Sequence, residues 1–231
     1  MFGFIDETWN PVAMKCPYDC YNGGCWATRL KEGKLKETER YRDLGAEPVL
    51  IRKELDRKFK PNTFVFVEDM GDLMAPLVPV EWIIEVIKVM KRNPQTKFLL
   101  LTKNPNRFLL IAEYLPSNVT LGATIETNRD TTAFSKAPST RSRFEAMAKL
   151  KWTNKLIVHE PICAFDTQEL AMWDLAVKPK DIVIGYDNYK NYLPEPSLAQ
   201  TRQFMDILRA AKLNVIEKTM REAWNEAKGG N

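Results

Sequence analysis

The chain has 231 residues, 45% of them hydrophobic and 28% charged, with a formal net charge of +4. That length provides for a sizeable core and suits one large domain or two small ones. A mean hydropathy of −0.35, no apolar run of about 18 residues, and opening residues without a basic-then-apolar pattern exclude a helical membrane span and a signal peptide, so a cytoplasmic location is expected.

A first strand is expected at residues 2–5. Three of the four cysteines, Cys16, Cys20 and Cys25, follow within ten residues, set among Pro, Gly, Tyr and Trp. A short helix is expected to begin at residues 26–30. Residues 31–60 then form a charge-rich excursion of helix and loop with scattered apolar anchors. From there the pattern becomes regular.

The run TFVFV (63–67) is short, continuous and rich in β-branched and aromatic residues, as a buried strand should be. Residues 80–92 place Trp82, Ile83, Val86, Ile87 and Met90 on one helical face, with Pro79 before it. Strands at 97–102, 119–125, 155–161, 181–187 and 214–218 alternate with helices at 105–115, 139–150, 167–177 and 197–212. Thr167 and Ser197 are the expected caps of the last two of these helices. A short helix is expected over 221–227.

Strands separated by helices of this length make βαβ units and a parallel sheet. About seven strands are expected, in either an open doubly wound sheet or a TIM-like partial barrel; the reading adopted is a single-domain α/β fold over 1–231, a partial (β/α)6-7 barrel. Both architectures gather functional groups beyond the carboxyl ends of their strands. Here those positions are polar throughout: Glu68, Asp69 and Asp72; Lys103; Thr124, Glu126 and Asn128; His159 and Glu160; Tyr186 and Asp187. The cysteine loop follows the first strand and falls at the same rim.

Four cysteines in 231 residues are too sparse for a secreted disulfide framework, and their clustering points to a metal or redox role. The spacing C-x3-C-x4-C suits a 4Fe–4S cluster, whose irons take thiolate ligands. Zinc held by the three local cysteines with His159 or Cys163 stays open, as do three free thiols.

These residues resemble the radical S-adenosylmethionine superfamily, and within it a phage-associated branch without an assigned function. The likeness rests on TWNPV (8–12) leading into the cysteine loop and CWA (25–27). It continues through FVEDMGDLMAP (66–76), FLLLTKNPNR (98–107), NVTLGATIE (118–126) and VHEPI (158–162), and so spans residues 4 to about 220. Two departures stand out. The superfamily's usual spacing is C-x3-C-x2-C, and its Gly-Gly-Glu after the second strand is replaced here by Glu68-Asp69-Met70-Gly71-Asp72.

The resemblance implies a TIM-like barrel and two cofactors, a 4Fe–4S cluster and S-adenosylmethionine. It implies reductive cleavage of the latter to a 5′-deoxyadenosyl radical that takes hydrogen from an unknown substrate. It makes Cys16, Cys20 and Cys25 the cluster ligands. Glu68, Asp69 and Asp72 would meet the methionine ammonium, Thr124, Glu126 and Asn128 the ribose or carboxylate, and Lys103 the carboxylate. Glu160 and Tyr186 would face substrate. An electron donor such as a ferredoxin or flavodoxin is implied, and the size leaves room for a macromolecular substrate to close the barrel.

His159, the only histidine, is expected to point away from Glu160 by strand alternation into the helix layer, and Cys163 to be an apolar core residue. Trp9 and Asn10 are expected to brace the cysteine loop. A rival reading is a nucleic-acid-associated protein with a structural iron–sulfur or zinc site, using the basic stretch 29–60 for phosphates. Another is a relative of the same fold with altered catalysis.

Overall fold

A computed structural model describes residues 2–226. In chain order the strands and α-helices are β1 (Glu7–Trp9), β2 (Val12–Ala13), α1 (Trp26–Glu32), β3 (Val49–Leu50), β4 (Phe64–Val67), α2 (Val80–Arg92), β5 (Lys97–Thr102), α3 (Phe108–Ile111), β6 (Val119–Thr124), α4 (Thr140–Lys149), β7 (Lys155–His159), α5 (Thr167–Val177), β8 (Asp181–Ile184), α6 (Leu198–Ala210) and β9 (Asn214–Glu217). Seven strands form one sheet in the order β1-β4-β5-β6-β7-β8-β9, every pair parallel. The order never reverses, so there is no doubly wound switch point. The sheet is an open, TIM-like partial barrel in a single α/β domain.

Strand alternation divides the apolar residues into two layers. Val65, Val67, Phe98, Leu100, Ile157 and Ile182 face the helices and join the main core. Phe66, Leu99, Leu156, Val158 and Val183 face the barrel interior, where Phe2 and Ile5 pack on them. Both faces are covered, which is why the strands read as continuous apolar runs rather than alternating ones. Helix α2 buries Ile83, Val86, Ile87 and Met90 as expected, and Val89 as well; each such side chain contributes about 1.5–3 kcal/mol of transfer free energy.

Several boundaries differ from expectation for local reasons. The first strand is Glu7–Trp9, not residues 2–5: residues 3–4 turn and Phe2 stacks on Phe66 at 6.1 Å inside the barrel. The expected helix 105–115 breaks into a 3-10 turn at Pro105–Arg107, α3, and a second 3-10 turn at Ala112–Tyr114. Within α3 only Phe108 and Ile111 are buried, a spacing of three that suits tighter winding, and Arg107 is tied to the carbonyls of Ala75 and Val78. Ser197 caps α6 by accepting from the Gln200 N–H at 3.1 Å. The α5 cap position is Asp166, not Thr167, and makes no side-chain capping bond. Residues 224–226 form a turn where a helix was expected, and residue 227 lies outside the described residues.

The charged excursion is anchored by its own cations. β3 pairs antiparallel with β2. Arg40 donates to the Asn10 carbonyl at 3.0 Å and pairs with Glu54. Arg57 donates to the Thr8 carbonyl at 3.0 Å and pairs with Glu7 at 2.6 Å. Among the described residues, no helix is long and apolar enough to cross a membrane.

Candidate functional site

At the carboxyl rim of the sheet lies a cavity of about 350 Å³. Cys16, Cys20 and Cys25 are all on its wall, with Asp69, Asp72, Lys103, Thr124, Glu160 and Tyr186. Glu68, Glu126 and Asn128 are not. The loop between the second and third cysteines curls through left-handed backbone at Tyr21 (φ 60°), Asn22 (φ 51°) and Gly23 (φ 81°). That turn takes up the two additional residues of the C-x4-C spacing. Gly24 is obligatory, because a Cβ there would meet Asn191 Oδ1 at 1.9 Å and the Tyr21 carbonyl at 2.9 Å. The Tyr21 N–H donates to the Phe134 carbonyl and the Lys136 N–H to the Tyr18 carbonyl, so the loop is pinned from both sides.

The donor set suits a cluster. Burial and the nearby Asp72 carboxylate push the Cys16 thiol up to about 12, so it would become a thiolate at neutral pH only through coordination to a cation. Among the described residues no three Cys, His, Asp or Glu side chains gather closely enough to hold one metal ion. A cubane asks less, because its ligands attach to separate irons. Among the described residues, two buried donors beside the site lack partners, the Tyr18 hydroxyl and Arg143 Nη2, and Tyr18 is on the cavity wall.

Asp72 is buried and accepts from Thr102 Oγ1 at 2.7 Å, the Lys103 N–H at 2.9 Å and the Met74 N–H at 2.9 Å. Asp69 accepts from Asn10 Nδ2 at 2.6 Å. Asn10 Oδ1 in turn accepts from the Met70 N–H, so Asn10 braces the segment after β4, where the cysteine loop was expected to be its partner. Trp9 instead sits in the core and donates Nε1 to the Glu54 carbonyl.

Behind this wall, Glu68 accepts from the Val12 N–H at 3.0 Å, and burial lifts its carboxyl to about 8. A raised acid is neutral in the fold at pH 7, and its contribution to stability is lost as pH rises from the unfolded value near 4.5 toward 8. Glu68→Gln is therefore expected to stabilise the fold by about 2–3 kcal/mol at pH 8 and by almost nothing at pH 4. Urea unfolding of both proteins at the two pH values tests this, and an equal difference at both would refute the neutral carboxyl.

Lys103 is the hub of the site. Its Nζ donates to Cys20 Sγ at 3.2 Å and to the Tyr21 hydroxyl at 2.9 Å, and it pairs with the buried Glu126. Burial alone would lower the ammonium, but Glu126, Tyr21 and Cys20 together hold it well above its usual value. Glu126 also takes Arg143 Nη1 at 2.7 Å, and Arg143 donates to the Thr124 carbonyl at 2.9 Å. Glu126 thus supports the wall from behind. Asn128 leaves the site, giving Nδ2 to Glu169 and accepting from the Asp166 N–H.

On the opposite wall Glu160 pairs with Lys218 at 2.8 Å. Tyr186 lies beside them, but its hydroxyl is held by Thr201 Oγ1 at 2.7 Å and the Pro196 carbonyl. His159 turns into the helix layer as expected, between the Ile125 carbonyl at 2.6 Å and Asp174 at 3.0 Å. Cys163 is buried with Phe134 and Leu193, off the cavity. Lys218, at the polar end of the last expected strand, reaches the cavity with the other strand ends. Arg143 was not anticipated, because an arginine within a mixed-polarity helix start carries no signal until the barrel closes around it.

A parallel partial barrel whose carboxyl rim carries a three-cysteine loop is an α/β fold similar to the TIM-like partial barrels of radical S-adenosylmethionine enzymes. The chain belongs to the family described as "Protein of unknown function (DUF5131)", whose model matches residues 2–172. A structure of spore photoproduct lyase with bound AdoMet and dinucleoside spore photoproduct superposes with a TM-score of 0.53 at 12% identity, covering 87% of this chain and 60% of that one. SuiB of Streptococcus suis, bound to precursor peptide SuiA, gives 0.53 at 11% identity, covering 94% of this chain and 50% of that one. At such identities the likeness is one of fold, and this chain spans only 50–60% of the length of those two proteins. A comparison with curated proteins gives no match.

Proposed function

We propose that the chain is a radical S-adenosylmethionine enzyme. The observation that carries this reading is the convergence of Cys16, Cys20 and Cys25 with Asp69, Asp72 and Thr124 on one cavity at the barrel rim. Cys16, Cys20 and Cys25 would hold a 4Fe–4S cluster, which when bound supplies the electron for reductive cleavage of S-adenosylmethionine and so for hydrogen abstraction from substrate. The wall acids Asp69 and Asp72 offer acceptors to the methionine ammonium, with Glu68 behind them. Thr124 offers a hydroxyl to the ribose or carboxylate. Lys103 holds its positive charge against Cys20 Sγ, beside the cluster that the loop would carry. Glu126 positions Lys103, and Asn128 positions the start of α5.

Glu160, paired with Lys218, presents an acceptor and a donor side by side on the far wall, where substrate would enter. Tyr186 shapes that wall with its ring. A cytoplasmic setting with a ferredoxin- or flavodoxin-type electron donor fits this chemistry. Within the basic stretch of the rival nucleic-acid reading, Arg40 and Arg57 give it no support, because they are tied to the Asn10 and Thr8 carbonyls and to Glu54 and Glu7.

Anaerobic reconstitution with iron and sulfide, followed by electron paramagnetic resonance of the reduced protein, tests the proposal. A 4Fe–4S signal that shifts on addition of S-adenosylmethionine, with 5′-deoxyadenosine formed, is expected. Tightly held zinc, or a cluster signal indifferent to the cofactor, would overturn it.

A further inference from the structure

The mouth of the cavity carries a second feature that the cofactor reading does not use. Trp26 and Tyr189 both line the cavity and are 37% and 45% exposed, and Tyr192 is 67% exposed. Cations are interleaved with them. The Arg29 guanidinium lies 5.8 Å from the Tyr189 ring centre, and the Lys190 ammonium 5.9 Å from that of Trp224. Tyr192 and Trp224 have ring centres 6.3 Å apart.

The segment presenting these groups is fixed rather than loose. Asp187 accepts from the Tyr189 and Asn191 N–H groups, and the buried Glu195 is held by both terminal nitrogens of Arg221. Arg29 reaches across from α1 to the Tyr189 carbonyl at 3.2 Å and to Asn191 Oδ1 at 2.9 Å. Lys190 and Tyr192 stand in left-handed backbone, φ 54° and 53°, a conformation that non-glycine residues keep only when their surroundings impose it. Exposed aromatic rings held in advance by a rigid loop lose little entropy on binding.

We propose that this rim is a platform for single-stranded nucleic acid, with bases stacking on Tyr189, Tyr192 and Trp26 and phosphates meeting Arg29 and Lys190, so that one base is led into the cavity. Stacking on aromatic side chains beside backbone-tracking cations is the general chemistry of single-strand binding. Enzymes that act on a base take it out of the duplex stack. Near the rim, Glu160 is paired with Lys218 and Glu195 with Arg221, and the buried Asp187 is turned onto backbone N–H groups; Asp69 and Asp72 line the cavity itself, where the neutral base and not the phosphate chain would enter. Inside the cavity the Glu160–Lys218 pair offers the acceptor and donor that a base edge can meet. The inference rests on the enzyme reading above only for what happens to the base once inside, since binding at the rim requires neither cluster nor cofactor.

The test is fluorescence anisotropy with a fluorescein-labelled oligo(dT) of about 12 nucleotides, on the whole chain both as isolated and after anaerobic reconstitution, over a salt series. Binding in both forms is expected, with the Tyr189→Ala/Tyr192→Ala variant at least about tenfold weaker and the Tyr189→Phe/Tyr192→Phe variant close to wild type. Lys190→Gln should reduce the salt slope by roughly one unit. Thermal melts of each variant confirm that the fold is intact. No binding, binding untouched by loss of the rings, or preferential capture of a labelled acidic peptide at the same rings would each overturn the platform. Binding that survives in a chain unable to assemble a cluster would uphold it while removing the enzyme reading.

Discussion

Cys20→Ser protein, reconstituted anaerobically beside wild type, is expected to retain background iron and to lose cleavage of S-adenosylmethionine by on the order of 10³-fold or more. Serine keeps the shape but not the thiolate, and a cubane built on three protein ligands cannot spare one. Cys20 is the most deeply placed of the three, 7% exposed, and the one that Lys103 contacts. Cys163→Ser is the matched control. That thiol lies in a separate small cluster with Phe134 and Leu193 and makes only a long contact to the Pro161 carbonyl at 3.8 Å. Its replacement should leave iron content and the resonance signal unchanged. Equal iron loss in both variants would mean that the loss reports disturbed folding rather than ligation, and full iron retention in Cys20→Ser would exclude Cys20 as a cluster ligand.

A milder variant separates ligation from tuning. Lys103→Met keeps the three thiols but removes the charge beside Cys20. It should still assemble a cluster, with a changed potential or a changed resonance signal. A wild-type spectrum there would assign Lys103 to structure alone.

Much of this site is legible in the sequence because its parts follow short-range rules. Strand alternation put His159 and Glu160 on opposite faces, and the structure has His159 against Asp174 and Glu160 at the cavity. The three cysteines and the acids after β4 reach the same rim because a parallel barrel delivers every strand end to one side. What was not legible depends on contacts between segments far apart in sequence. Phe2 reads as a strand residue until the barrel interior offers it Phe66. Asn128 and Glu126 are two residues apart, yet one is drawn to Glu169 on α5 and the other to Lys103 and Arg143. Tyr186 was expected to face substrate; it does line the cavity, and what the sequence hides is that α6 supplies Thr201 to hold its hydroxyl.

Glu126→Leu is expected to be the most destabilising single change at the site, by about 3–5 kcal/mol, which for a chain of this size lowers the melting temperature by on the order of 10 °C. The carboxylate is fully buried and stands between Lys103 and Arg143, accepting also from the Tyr21 hydroxyl at 3.1 Å. Leucine would leave two cations in the interior without a counter-charge, and one of them, Arg143, is itself fully buried. Burial alone would raise the Glu126 carboxyl, but Lys103 and Arg143 more than offset it and hold it down at about 2. A depressed acid contributes stability that is fully present above its unfolded value near 4.5 and is lost as pH falls toward 2. The difference in unfolding free energy between wild type and Glu126→Gln should therefore be largest near neutral pH and shrink through that window. Adding Lys103→Met to Glu126→Leu should recover part of the loss, because the second change removes one of the two stranded charges. A pH-independent difference, or strictly additive losses in the double variant, would show that Glu126 acts through packing. The same ion pair that ties down the segment after β6 also fixes the lysine that touches Cys20, so loss of Glu126 would disturb the cysteine loop as well as the strand end.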